Sequence, residues 1–390
     1  MIRVIYILNA TDKFGGATKA IMNLVNGLDG IQPYFILPED SGIAETLREK
    51  GCAYSVLNYR MCVYPPLESW RDYLLFLPRL MGRIYLNRRA AKQVAAIAEN
   101  FHAAIIHTNT SVNDIGYQAS RILHLPHVWH IREYGVRDFG YHHYPCRAAQ
   151  LKKYKNQQSY TICITKDIQE YNELQQWANS HVIYDGVLHE NQADLNLSKK
   201  DYLLFAGRLE EGKGIEELLH AYSVYAAKSE RPAPLWVAGD TRETEYKSKL
   251  LQITEQDGIK DNVLFLSMRP DILELMRDAL ALVVPSRSEG FGFITAEGMF
   301  SGALVIGKDV SGTKEQFDNG YRLTNQDIAL KYLTENELVE HLCTVTRHGI
   351  KQYVPMIKAG QSVVKQLYSI EHHKEAVYQF YCEILNQREK

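Results

Sequence analysis

"YLLFAGRLEEGKGIEELLHAY", residues 202–222, runs from an apolar stretch through a loop with three glycines into a segment of helical spacing. The apolar stretch lacks the alternation of a half-exposed strand, which is how a strand covered on both faces reads. Ile215, Leu218, Leu219, Tyr222 and Ala226 then recur at three- and four-residue intervals, the stripe of an amphipathic helix. A strand, a glycine loop and a helix in this order form the building block of a parallel α/β sheet.

The same unit recurs along the chain. Val4 to Leu8 precedes Gly15-Gly16, after which Ala17, Ile21, Leu24, Val25 and Leu28 share a helical face. "AAIIHTN", "HVWHIRE" and "YTICIT" read as further strands of the first half, and "APLWVAGD", "NVLFLS", "ALALVVPS" and "ALVIGK" as strands of the second. Apolar periodicity fades over residues 181–200. At 390 residues the chain exceeds what one core usually serves. The expected fold class is therefore α/β, with Rossmann-like parallel-sheet domains at 1–182 and 200–365, a linker at 183–199 and a helical segment at 366–390. In that last segment Val377, Phe380, Tyr381 and Ile384 fall on one side. Open parallel sheets bind ligands at the carboxyl ends of their strands, so a cleft between two such domains is the expected site.

Composition narrows the setting. No window approaches the run of 18 or more apolar residues that spans a bilayer, and the start reads as a first strand rather than an export signal. Six cysteines without a CxxC pair suit a reducing compartment, so a cytoplasmic protein is expected. Residues 1–182 carry 20 Lys+Arg against 15 Asp+Glu, and the remainder 24 against 31. Six basic residues and one acid fall within residues 70–92, a segment suited either to an anionic membrane surface or to an ordinary basic surface helix. The overall balance argues against a nucleic-acid binder.

The polar strand ends carry the chemistry. Arg208 and Lys213, in a glycine-containing loop after a strand, can meet one anionic group as a fork and a point charge; solvated loop charges are the plainer reading. In "SRSEGFGFITAEGMFSG", residues 286–302, Gly290, Phe291 and Gly292 form a turn whose amides suit diphosphate oxygens. Glu289 and Glu297, which flank it, suit hydroxyl groups of a sugar and a ribose. Alternatively, Glu297 caps an amide network and Glu289 is a loop acid. Gly15 and Gly16 suit either a tight turn or close approach of a diphosphate. His130, in "HIRE", is the favoured sugar-contacting imidazole and proton relay, with His107 structural or supporting. His142, His143 and Cys146 lack the separated second pair of a zinc site, and no metal is expected.

"FAGRLEEGKGIEELLHAY", "LWVAGD" and "PSRSEGFGFITAEGMFSGALVI", with "FGG" near the amino terminus, resemble in order and spacing the motifs of retaining glycosyltransferase family 4. The resemblance implies the GT-B architecture and transfer of a sugar from a nucleotide-diphosphate donor, UDP- or GDP-linked, to an acceptor hydroxyl with retention and without a required metal. It places Gly15 and Gly16 near diphosphate and acceptor, His130 on the donor sugar, and Arg208 and Lys213 on the diphosphate. Glu289 then faces the donor sugar, the Gly290–Gly292 amides contact sugar or phosphate, and Glu297 grips the ribose. It further implies that the last helix crosses back to the first domain. Polysaccharide or glycolipid synthesis follows, with a lipid-linked oligosaccharide or another hydroxyl acceptor and peripheral attachment at the cytoplasmic membrane face. An inactive sugar-nucleotide binder, and an epimerase or sugar phosphorylase on the same architecture, are the competing readings. Ser267, Met268 and Arg269, Ala281, and "VSGTKE" before Glu315 depart from the family pattern.

Overall fold

Along the first strand, Val4 and Tyr6 enter one apolar cluster while Ile5 and Ile7 enter another, so both faces of the strand are covered. A strand so covered belongs in the middle of a sheet. The computed structural model, which describes residues 1–12, 15–26, 30–241 and 243–388, places it there. Phe14 of the "FGG" motif and Leu28 of the first helical stripe lie outside the described residues.

The chain divides into two compact units, Met1–Gly186 with His372–Lys390, and Val187–Glu371. In the first unit the strands are β1 (Ile2–Ile7), β2 (Ile31–Leu37), β3 (Ala53–Val56), β4 (Val63–Tyr64), β5 (Ile105–Thr108), β6 (His127–Ile131), β7 (His142–His143), β8 (Ser159–Cys163) and β9 (Ser180–Val182). Seven of them form a parallel sheet in the order β3-β2-β1-β5-β6-β8-β9, and β4 pairs antiparallel with β7 as a short ribbon. The second unit holds β10 (Leu203–Ala206), β11 (Leu235–Ala238), β12 (Val263–Ser267), β13 (Ala281–Val284), β14 (Val305–Lys308) and β15 (Leu330–Tyr332). Their order is β12-β11-β10-β13-β14-β15, again all parallel. Strand order therefore reverses between β1 and β5 in one sheet and between β10 and β13 in the other.

Helices cover both sheets. On the β10 side, Ile215, Leu218, Leu219 and Tyr222 of the helix Ile215–Ala227 are fully buried against Leu203, Phe205 and Val237. In the first unit, the long helix Trp70–Asn100 packs Ala90, Ala91, Val94, Ala95 and Ala98 on the face of Ile5 and Ile7. Its start is set by a reciprocal capping box between Ser69 and Asp72, so the helix begins eight residues before Pro78. The opposite face, with Val4 and Tyr6, is covered by the terminal helix Ile370–Arg388 through Val377, Phe380, Tyr381 and Ile384.

Because these four side chains are buried in the amino-terminal unit, the last helix is part of that unit's core. Phe380→Ala should destabilise this unit by about 3 kcal/mol through the cavity it leaves. A urea titration followed by tryptophan fluorescence reads this; an unchanged midpoint would mean that the helix is a detachable tail.

Candidate functional site

In an open parallel sheet the loops at a reversal of strand order leave in opposite directions and open a crevice above the strand ends. In the carboxyl-terminal unit that reversal brings together the loop after β10, with Arg208 and Lys213, and the loop after β13, with Glu289 and the Gly290–Gly292 turn.

Close backbone packing locks the two loops together. Gly214, at φ +69°, ends the short turn Glu211–Lys213 and begins the helix Ile215–Ala227. A Cβ there would lie 2.0 Å from the Pro285 carbonyl oxygen, so only glycine lets the loops approach this closely. The Arg287 amide donates to the Gly212 carbonyl at 2.9 Å, and the Arg287 guanidinium meets Glu211 at 2.8 Å. Lys213 Nζ consequently stands 2.7 Å from Glu289 Oε1, both side chains largely shielded from solvent. Arg208 takes a different course, paired at 3.2 Å with Glu210 on the loop surface. The expected convergence of Arg208 and Lys213 on one anion thus meets a structure in which each cation is already answered by its own carboxylate.

The turn after Glu289 is pinned through its carbonyls. The Gly312 amide donates to the Glu289 carbonyl at 2.9 Å, and Gln316 Nε2 donates to the Phe291 and Gly292 carbonyls at 2.7 and 3.0 Å. Gly312 itself sits where a Cβ would be 2.7 Å from the Gly290 and Phe291 carbonyl oxygens. Phe291 is buried against Tyr368 and Phe293. Gly292, at φ +92°, begins the helix Phe293–Phe300, and Glu297 is buried one turn inside it. In the amino-terminal unit Gly15 caps the helix Gly16–Val25 at an ordinary φ of −68°, and a Cβ there would meet no atom of the described residues nearer than 3.4 Å. Neither strain nor crowding demands glycine at residue 15.

Behind the ends of β5 and β6 lies a second polar assembly that the sequence signalled only in part. His130 is fully buried, as are His107, Asp185 and His373. Arg132 forms a two-pronged ion pair with Asp185 and places Nη2 3.1 Å from His130 Nδ1. A guanidinium only donates, so His130 Nδ1 is an acceptor and its proton sits on Nε2, 3.8 Å from Asp185 Oδ1. His107 Nε2 lies 3.1 Å from the same Nδ1, and His107 Nδ1 lies 2.5 Å from the oxygen of Tyr381, whose hydroxyl donates to the Tyr6 oxygen at 3.2 Å. His373 Nδ1 accepts from the Gly186 amide at 2.5 Å. Both His130 Nε2 and His373 Nε2 are buried without a hydrogen-bond acceptor among the described residues.

Burial, reinforced by the Arg132 charge, pushes the His107 and His130 imidazoles far below their ordinary value and His373 to about 3. Burial likewise holds His127 at about 3. Desolvation raises Asp185, with Arg132 opposing, and raises Glu133 against hydrogen bonds from Ser111. His130 is therefore a neutral donor rather than a proton carrier near pH 7. His130, Asp185 and His373 lie close enough to hold a metal ion, but the guanidinium already in contact with Asp185 and His130 makes the spot a poor cation site. Sequence reading missed Asp185, placed in the linker stretch, and His373, whose neighbours on the terminal helix were legible only as apolar.

Comparison with known proteins follows this geometry. Residues 189–360 match the family described as glycosyl transferases group 1. A D-inositol 3-phosphate glycosyltransferase of Jonesia denitrificans is 32% identical over 133 residues, 32% of this chain and 31% of that protein. A serotype-specific mannosyltransferase, WbdA of Escherichia coli, is 28% identical over 118 residues, 30% of this chain and 14% of that protein. The chain spans about a third or less of the length of these curated relatives. Anabaena HepE, crystallised with UDP, superposes with a TM-score of 0.79 over 98% of this chain and 100% of that one at 17% identity. At that identity the likeness speaks for the fold.

Two measurements test the local account. Gly214→Ala should destabilise the carboxyl-terminal unit by about 2 kcal/mol or more, whereas Gly212→Ala, with no atom near its Cβ position, should be close to neutral. Equal thermal midpoints for the two variants would refute the packing argument. On acidification the unfolded chain protonates its histidines near pH 6.5 while the folded unit keeps these four neutral until far lower pH. Stability is thus lost as pH falls below about 6.5, by about 2 kcal/mol per such histidine at about pH 5. Asp185 and Glu133, both raised in the folded unit, oppose this by taking up protons above the ordinary carboxylate range. A urea midpoint unchanged between about pH 7 and pH 5 would rule out buried neutral imidazoles.

Proposed function

We propose that this chain, a GT-B relative whose residues 189–360 belong to the group 1 glycosyl transferases, moves a sugar from a nucleotide diphosphate to an acceptor hydroxyl with retention of configuration. The observation that carries the reading is the Lys213–Glu289 pair at the reversal of strand order in the carboxyl-terminal sheet. There an ammonium and a carboxylate with opposite tastes, one for phosphate and one for sugar hydroxyls, are held side by side.

A UDP- or GDP-linked sugar supplies both partners at once. Lys213 turns from Glu289 to a diphosphate oxygen, joined by Arg208 leaving Glu210 and by amides of the Gly290–Gly292 turn. Glu289, released, accepts hydrogen bonds from the sugar, and Glu297 receives the ribose hydroxyls. On the amino-terminal unit His130 offers its Nε2–H to a sugar hydroxyl, and Gly15 and Gly16 admit ligand close to the backbone. As the bond from anomeric carbon to phosphate oxygen lengthens, charge grows on the diphosphate, and Lys213, Arg208 and the amides stabilise it more than they stabilise the intact donor. The acceptor oxygen attacks the face being vacated, and its proton passes to the leaving phosphate oxygen. These cations and amides take the place of a divalent ion. Glu289 positions the sugar and forms no covalent intermediate.

The acceptor in this reading is a lipid-linked oligosaccharide or a related hydroxyl, met at the cytoplasmic face of a membrane. Among the described residues no helix is long and apolar enough to cross one.

Glu289→Gln preserves the shape of the side chain and removes its charge. It should lower turnover on the order of 100-fold while changing nucleotide affinity little, read by steady-state kinetics beside calorimetric titration with UDP and GDP. Parallel losses in both would place Glu289 on the nucleotide instead of the sugar.

A further inference from the structure

The helix Trp70–Asn100 has two apolar faces, and only one is covered. Leu80, Asn87, Ala91, Val94 and Ala98 form the inward face, on the unit's core. Trp70, Leu74, Leu77, Met81 and Tyr85 follow one another at three- and four-residue intervals along a second line, with Tyr73 beside Leu74, and each of the six is 64–70% exposed. Soluble surfaces seldom keep so continuous an apolar stripe.

The stripe is not a frayed end. The capping box of Ser69 and Asp72 closes the first turn, and Arg79 holds Asp72 at 3.0 Å. Further along, Phe76 packs on Tyr64, Arg83 lies over the Tyr64 ring and donates to the Val63 carbonyl, and Asn87 bonds both main-chain groups of Arg60. These braces all engage the inward side and leave the stripe in solvent.

Arg88 and Lys92 continue the same line, 18 and 22 residues from Trp70. With Arg89, and with Arg121 from the neighbouring helix Ile115–Leu123, they line an open hollow of about 620 Å³ that also touches Tyr85 and Ile122. None of these four cations has a carboxylate partner among the described residues, although Arg79 on the same helix does. Asp72 is the helix's only acid before Glu99.

We propose that this surface docks on an anionic phospholipid bilayer: the stripe lies in the interface, and the hollow lined by Arg88, Arg89, Lys92 and Arg121 receives lipid phosphate headgroups. The proposal deepens the peripheral-membrane reading above and rests on it, not on the transfer chemistry. An amphipathic helix lying in the membrane plane needs an apolar face and cations able to meet headgroup phosphates, and both are present along one line. A second copy of the chain would supply the apolar contact but bring more cations, and the only acid within the stripe, Asp72, is already held by Arg79.

The test uses the full chain in flotation with phosphatidylcholine vesicles, with and without about 25% phosphatidylglycerol. Binding should require the anionic lipid and weaken about tenfold when salt is raised to about 0.5 M. Arg88→Glu with Arg89→Glu should abolish the dependence on anionic lipid, and Trp70→Ser with Leu74→Ser should reduce binding at least about tenfold at either salt. All four positions are exposed, so unchanged urea midpoints should accompany both pairs. Wild-type flotation equal to that of the variants would overturn the proposal. So would inorganic phosphate binding to the hollow without vesicle binding, or a dimer in solution that Trp70→Ser with Leu74→Ser dissolves while no vesicles are bound. Titration with UDP and GDP on the same samples separates the two readings: loss of nucleotide binding in the wild type defeats the transfer reading and leaves the vesicle result to stand or fall by itself.

Discussion

An ammonium and a carboxylate 2.7 Å apart, at the ends of two neighbouring parallel strands, set the character of the carboxyl-terminal unit. Each group alone would be a solvated loop charge. Held together and largely shielded from water, they hold each other in place. Their closeness depends on a backbone contact, Gly214 against the Pro285 carbonyl, which no side chain would permit. The strand order dictates which loops can meet at all, and the glycine sets how near they come.

The amino-terminal unit solves a different problem. Its sheet carries polar side chains on the inside of β5 and β6, where an unmatched hydrogen-bonding group is costly. Arg132 satisfies Asp185 and at the same time dictates the tautomer of His130, which in turn contacts His107 and, beyond it, Tyr381 of the terminal helix. A buried ion pair of this kind is weak as a source of stability but strong as a source of orientation, because each donor has one acceptor it can reach. The chain leaves His130 Nε2–H directed, buried and without an acceptor.

The long helix shows the same economy of placement. One line of its residues completes the core of the amino-terminal sheet, while another line presents aromatic and aliphatic side chains that end at a set of cations with no acidic partner among the described residues. The two lines are separated by about a quarter turn, the rotation between consecutive residues such as Leu80 and Met81.

Much of this was readable in residue order. Strands covered on both faces announce themselves as unbroken apolar runs, and the stripes beginning at Ile215 and Val377 mark helix faces that are indeed buried. Glycines after a strand, beside charged residues, made Lys213 and Glu289 legible as candidates. Their pairing was not, since 76 residues separate them and only the reversal of strand order makes them neighbours. Nor was the company of His130: Asp185 follows the last strand of its sheet and His373 arrives 187 residues after Gly186, whose amide it accepts. Sequence by itself determined the α/β periodicity, the two-sheet organisation and the residue types at the strand ends. Tertiary structure alone decided which charges neutralise each other and which donors stay unmet, because proximity between distant segments is created by strand order and packing, not by spacing along the chain.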